Sequence, residues 1–317
     1  MKRLFYVVLC TILAASCSPP NIASTSGAAA CADLAFARCS RISACSATAM
    51  AYRYPNVDTC KSLFQANCLE NVAANGVTPA FEEGCAQAIS SPSWSCDDFL
   101  LDQNIPPACM APAGSQPTGS ACVTASQCSG GFCAIESGAA CGTCASPPAV
   151  GSSCATIAGC AVGQTCEVDN MQCTAYATLS QPCSTTQPCA AGLGCASSSS
   201  TCEPQAEMLG AACLVGGAGC DFYQGISCNS TTMICASVQF VGPGQACGFI
   251  GTQDVYCVAG AQCLGGTCVA AAPVGQACDL VNGPICISPS HCIVSADAGA
   301  DGGTSGTCQI YDPTLCH

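Results

Sequence analysis

GSSCATIAGCAVGQTCEVDNMQC, residues 151–173, and SQPCSTTQPCAAGLGCASSSSTC, residues 180–202, carry one cysteine frame twice. The first holds Cys154, Cys160, Cys166 and Cys173, and the second Cys183, Cys189, Cys195 and Cys202. Both leave gaps of five, five and six residues. A period of this kind fixes architecture before any single element does, so it is followed outward in both directions. Upstream lies Cys122, Cys128, Cys133, Cys144, with Cys141 extra. Downstream lie Cys213, Cys220, Cys228, Cys235, then Cys247, Cys257, Cys263, Cys268, then Cys278, Cys286, Cys292, Cys308. Successive first cysteines are 32, 29, 30, 34 and 31 residues apart.

Glycine keeps step with the cysteines. Gly119, Gly151, Gly210, Gly244 and Gly275 stand three before a first cysteine, and Gly163, Gly192, Gly225 and Gly260 three before a third. Glycine there permits positive-φ turns, which small disulfide knuckles need. Thr precedes the last cysteine in units one, three, five and six. Six units follow, at about 119–144, 151–173, 180–202, 210–235, 244–268 and 275–316. Unit six departs, with Pro289 in the glycine position and a long insert before Cys308. Cys316 lies outside the pattern, as a partner for Cys141 or a closure of unit six. The unit, Gly-x-x-Cys, Cys-x-x-Gly-x-x-Cys, Thr-Cys, resembles the Dickkopf N-terminal cysteine-rich repeat as it occurs in bacterial lipoproteins. That resemblance spans residues 119 to about 308 and implies the small disulfide fold. The colipase-like second domain of animal Dickkopf proteins is not visible, so their receptor antagonism does not carry over.

Composition agrees with a cross-linked fold. Of 317 residues 36 are Cys, only 5% are aromatic and 8% charged. Much of the apolar count is Ala and Cys, leaving few residues for a large core, so cross-links offset the entropy of folding. Such bridges persist in an oxidising compartment. Formal net charge is −13, and beyond Met110 there are acidic residues but no Lys or Arg. That field repels nucleic acid and anionic headgroups, and no nucleic-acid partner is expected.

The N-terminus reads as an export signal. Lys2 and Arg3 precede an apolar run, Leu4 to Ala15, too short to span a bilayer. Ala14-Ala15-Ser16-Cys17 resembles the lipobox of bacterial lipoproteins, which implies cleavage after residue 16 and lipidation of Cys17. Loss of residues 1–16 removes Cys10, and a lipidated Cys17 leaves 34 cysteines, an even number. Ser18 rather than Asp after the cysteine implies, by the same resemblance, the outer membrane. Residues 17–30 read as a tether.

Residues 31–109 differ in texture. Cys31, Leu34, Ala35, Cys39, Ile42 and Cys45 recur at helical steps within 30–47. Asn56 can cap a second helix reaching about Val72, which turns Cys60, Leu63, Phe64 and Cys68 inward. Thr78-Pro79 starts a third, with Phe81 and Cys85, and Asp97 to Leu101 a short fourth. With Cys96 and Cys109 this module holds eight cysteines, whose 105 pairings the sequence leaves open. The fold class is therefore small and disulfide-rich: an N-terminal α-helical module, then an extended array of short β/loop knuckles. Linkers such as 145–153 and 174–182 offer little surface for packing, which predicts an elongated rod.

Catalytic groups are scarce. The two histidines are His291, expected in an exposed loop beside Cys292, and the terminal His317. Glu82-Glu83 and Asp97-Asp98 are adjacent pairs, which point different ways on a helix and make poor acid/base partners. Cys141-Gly-Thr-Cys144 lacks the strand–helix context of a redox motif and reads as structural. Export disfavours thiolate zinc sites. Asp297 and Asp301 sit in a Gly/Asp insert with half the ligands of a Ca²⁺ loop. Asn229-Ser-Thr is a glycosylation sequon by pattern alone. No cofactor is expected. The expectation is a non-enzymatic, lipid-anchored surface protein, a binding or structural module for a protein or glycan, with an inhibitor or adhesin as the alternative.

Overall fold

The computed structural model describes residues 26–73, 77–154, 159–167, 171–184, 187–213, 217–251, 253–294, 303–312 and 316. Five helices come first: α1 (Gly27–Cys45), α2 (Ala47–Arg53), α3 (Val57–Ala73), α4 (Pro79–Ser90) and α5 (Cys96–Leu100). Each begins on a side chain that accepts from an otherwise unpaired first-turn N–H. Ser26 Oγ accepts from Ala29 N, Ser46 Oγ from Ala49 N, Asn56 Oδ1 from Thr59 N, Thr78 Oγ1 from Phe81 N and Ser95 Oγ from Asp98 N. The Asn56 and Thr78 starts are the expected ones. Two expectations change. The Ser46 cap splits off α2, which periodicity alone did not separate. Also, α1 begins inside the expected tether, with Ala30 fully buried.

The scarce large residues are concentrated here. Ile42, Met50, Tyr54, Ile89, Trp94, Phe99 and Leu100 form one buried cluster. The Trp94 and Phe99 rings meet edge to face at 5.1 Å, and Trp94 Nε1 donates to Gln103 O at 2.8 Å. Four bridges staple the elements. Cys31–Cys68 and Cys39–Cys60 join α1 to α3, Cys45–Cys96 joins α1 to α5, and Cys85–Cys109 joins α4 to the turn after α5.

Downstream, each group of four cysteines pairs first with third and second with fourth. The bridges are Cys122–Cys133 and Cys128–Cys144, then Cys154–Cys166 and Cys160–Cys173, then Cys183–Cys195 and Cys189–Cys202. Cys213–Cys228 and Cys220–Cys235, Cys247–Cys263 and Cys257–Cys268, and Cys278–Cys292 and Cys286–Cys308 follow. Third and fourth cysteines face each other across an antiparallel ladder in every group, as Cys166 faces Cys173. The chain is thus disulfide-rich, helical at the front and a run of short strand pairs behind.

Hydrogen bonds explain the recurring glycine. In all six groups the residue three before the first cysteine donates its N–H to the fourth cysteine's carbonyl, at 2.7–2.8 Å. The fourth cysteine's N–H returns to the carbonyl one residue later. This clamp needs positive φ, which Gly119, Gly151, Gly210, Gly244 and Gly275 supply and Ser180 adopts at +63°.

The linkers are not loose. Gln116, Ala177, Ala206 and Ala272 each bridge in parallel to the following group's second cysteine, and Val241 faces Cys257 in the same way. Nor does the array run as a straight rod. Knuckle three donates from Ala191 N to Gln103 Oε1 at 2.8 Å. Knuckle four accepts Ser46 Oγ on Tyr223 O, and Ile287 of knuckle six enters the helical core. Knuckle five donates Ala259 N and Gly260 N to Ala51 O and Tyr52 O, at 2.8 and 2.7 Å. Those acceptors are last-turn carbonyls of α2, which lack partners within their own helix. Gly260 has φ +74°, and a Cβ there would sit 3.0 Å from Arg53 O. Finally Val294 N donates to Gly138 O at 2.9 Å, and Cys141 pairs with Cys316, so the last knuckle meets the first. The expected rod is instead a curved array that returns on itself and docks on the helices.

Candidate functional site

Docking of the array on α2 leaves a half-open cavity of about 500 Å³ between them. Tyr52 and Arg53 form one wall, Asp254, Tyr256 and Gln262 of knuckle five another, and Ser288 of knuckle six the rim. The backbone carries these groups on stiff supports. Tyr256 is in the strand Gln253–Cys257 and Gln262 in the strand Gln262–Leu264, with Cys257–Cys268 and Cys247–Cys263 bridging beside them.

Aromatic side chains converge here. Tyr52 and Tyr256 stand edge to face at 6.3 Å, and Phe222 packs at 5.5 Å from the first and 4.8 Å from the second. Phe240 backs Tyr256 at 6.3 Å. Burial pushes the Tyr256 hydroxyl's pKa up, and the negative Asp254 and the neighbouring Tyr52 push it the same way. Arg53 is aimed by Nη2, which donates to Leu100 O at 2.8 Å and Tyr223 Oη at 3.3 Å. Gln262 Oε1 is buried with no hydrogen-bond partner among the described residues. A buried acceptor left unpaired costs free energy, and such groups mark places where a donor is wanted.

Other candidates fall elsewhere. Cys17, His317, Asp297 and Asp301 lie outside the described residues. Cys141 and Cys144 do not pair with each other: Cys141 takes Cys316 and Cys144 takes Cys128, so that Cys-x-x-Cys forms no dithiol. The sulfurs of Cys122, Cys128 and Cys133 lie within 4.8 Å of one another, as in other knuckles, and every one is held in a bridge. His291 is exposed, as expected, but on the strand His291–Val294 rather than in a loop, stacked on Tyr311 at 4.2 Å. Although the residue keeps a solvent-facing surface, the atoms packed around its ring partly desolvate the imidazole and lower its pKa.

The adjacent acids separate, as their helical positions imply. Glu82 is almost wholly buried, and desolvation lifts its pKa to about 7. Glu83 faces Asp33, and its pKa rises by desolvation and then by that neighbour. Asp97 faces Asp221 and rises for the same two reasons, while Asp98 accepts from Ser95 and Asn104. The Asn229 carboxamide caps its own turn, accepting from Thr231 N and Thr232 N.

Sequence reasoning did not find the cavity, because its walls come from two modules far apart in the chain. One signal was present: aromatics are rare here, and Phe222, Tyr223, Phe240 and Tyr256 cluster in units four and five. The chain matches no protein-family model, no curated protein and no solved structure.

Proposed function

We propose that this protein is a non-catalytic binding module displayed at the cell envelope through a lipid on Cys17. The observation that carries it is the rigid cavity: aromatic walls, a few converging polar groups, and knuckles and helices locked by 17 disulfides. Pre-formed concave sites of several hundred Å³ are the usual form of ligand pockets. Rigidity reduces the ordering cost of binding, which suits a recognition protein. The cystine richness supports export.

Support for the anchor comes from cysteine accounting. All cysteines from Cys31 to Cys316 are paired with one another, so no thiol among the described residues is left over for Cys17. Among the described residues no helix is long and apolar enough to cross a membrane. A diacylglycerol thioether with N-acylation would supply several chains, enough for stable attachment where one chain is marginal. The Dickkopf-like spacing remains a likeness of cysteine frames and contributes only the small fold.

Replacement of Cys17 by Ser tests the anchor. The variant should leave the membrane fraction for the soluble one. A variant that stays with membranes, or an unmodified Cys17 by mass spectrometry of the native protein, would refute it. Cross-linking on intact cells tests display: a specific partner, protein or glycan, should be recovered with the wild type and lost with Cys17→Ser.

A further inference from the structure

We infer that the cavity between α2 and knuckles five and six binds a neutral carbohydrate, one or two sugar residues of a glycan chain. The inference rests on the binding-module reading above and names its ligand class.

Charge narrows the ligand first. Asp254 and a chain of net charge −13 oppose an anion, and the wall they form has no Lys or Arg of its own beyond Met110. Arg53 on the facing wall opposes a cation, since its guanidinium is always charged. A neutral ligand meets neither objection. Both walls still ask for hydrogen bonds, of opposite kinds. Asp254 accepts, while the Arg53 guanidinium donates. A hydroxyl is both donor and acceptor, so a polyhydroxyl ring satisfies both sets without carrying charge.

The aromatic wall fits the same ligand. Tyr52 and Tyr256 touch edge to face and both line the cavity, so together they form one continuous aromatic wall. A sugar ring presents C–H faces to such a wall and hydroxyl edges to the polar groups beside it. Tyr52 is itself partly exposed, which leaves a route of entry. Gly260 holds this geometry: its N–H is bonded to Tyr52 O, and its missing side chain lets knuckle five approach Arg53.

Isothermal titration calorimetry on the oxidised full chain decides the matter. The probes are maltotetraose, cellotetraose and tetra-N-acetylchitotetraose, with tetralysine and 3′-sialyllactose as charged controls. At least one neutral tetrasaccharide should bind, with Kd on the order of 0.1 mM, the range of small ligands with few anchors. Tyr52→Ala and Asp254→Asn should each weaken it about tenfold. Asp254→Asn changes charge and hardly changes shape, so it decides if Tyr52→Ala fails to fold. Failure of all three sugars at about 10 mM, preference for a charged control, or indifference to Asp254→Asn overturns the inference. If that happens while cell-surface cross-linking still recovers a specific protein, the sugar ligand is wrong and the binding-module reading stands.

Discussion

The helical module and the knuckle array use disulfides for different purposes. In the module the bridges span 21 to 51 residues and join elements that already share a core of Ile42, Ile89, Trp94, Phe99 and Leu100. In the array most bridges span 11 to 16 residues, and the buried clusters are largely the cystines themselves, with Ala beside them. One region is a small bundle that bridges reinforce. The other buries little beyond its bridges, single side chains such as Ile226 and Val255 aside. Burying a large side chain contributes about 1.5–3 kcal/mol, and the described residues of the second knuckle bury none of that size beyond its cysteines. A bridge closing about 15 residues contributes about 3 kcal/mol in the chain-entropy model, so two of them carry a knuckle.

The largest expected effect follows directly. Complete reduction without denaturant should collapse the array and spare much of the helix. Far-ultraviolet circular dichroism should keep most of its helical signal. Hydrogen exchange should lose the protection at Cys144, Cys173, Cys202, Cys235, Cys268 and Cys308, whose N–H groups close the six clamps. If those amides stay protected after reduction, or the helices melt together with them, the contrast between the regions is broken.

Legibility in the sequence divides along the same line. Three helix starts could be read, because Asn56, Thr78-Pro79 and the acids Asp97-Asp98 act within one turn of themselves. The Ser46 break could not, since its cap competes with a helical pattern that runs through it. The knuckle frame could be read from cysteine and glycine spacing, and the positive-φ clamp explains why glycine recurs. Pairing could not, because first-with-third closes a loop only about twice as long as first-with-second, as with Cys154–Cys166 against Cys154 and Cys160, and a doubling costs only about 0.6 kcal/mol. The course of the array was misjudged: its docking uses backbone groups, Ala259 N and Gly260 N on Ala51 O and Tyr52 O, which leave almost no trace in side-chain pattern. The cavity was hidden for the same reason.

A smaller effect separates local from global cross-linking. Cys141–Cys316 is the one bridge, among the described residues, that spans 175 residues and ties the first knuckle to the chain's end. Replacing both cysteines by Ser should leave every knuckle internally bridged and release the contact of Gly138 O with Val294 N. The cost should be about 2–4 kcal/mol, below the full loop-length figure because the intervening bridges already restrict the unfolded chain. Small-angle scattering should show a larger radius of gyration, while hydrogen exchange within knuckles two to five stays unchanged. An unchanged radius would mean that docking on α2 alone holds the curve. Loss of protection in the middle knuckles would mean that they are not independent units.

The smallest effect has opposite signs in the two regions. Glu82 is buried in α4, and desolvation raises its pKa from an ordinary 4.5 to about 7. Between those values the folded chain holds a proton that the unfolded chain has lost, so stability falls as pH rises. The contribution is complete below pH 4.5 and gone above about 7, and it amounts to at most about 3 kcal/mol by linkage. Asp279 in knuckle six behaves in the opposite way. It accepts from Val281 N, Asn282 N, Thr304 Oγ1 and Ser305 Oγ, and these bonds hold its carboxyl well below the usual range. Its contribution is present above an ordinary pKa of 3.8 and lost as the pH falls further. Glu82→Gln should therefore flatten the pH dependence of helical unfolding between 4.5 and 7 and raise stability at pH 8. Asp279→Asn should leave that profile alone and instead loosen the turn 279–283 at neutral pH, with a small effect because the group is exposed. Hydrogen exchange read at α4 and at 279–283 across pH 3 to 8 checks both. A Glu82→Gln profile parallel to the wild type would place the module's proton on another acid, with the Asp33–Glu83 pair the next to replace.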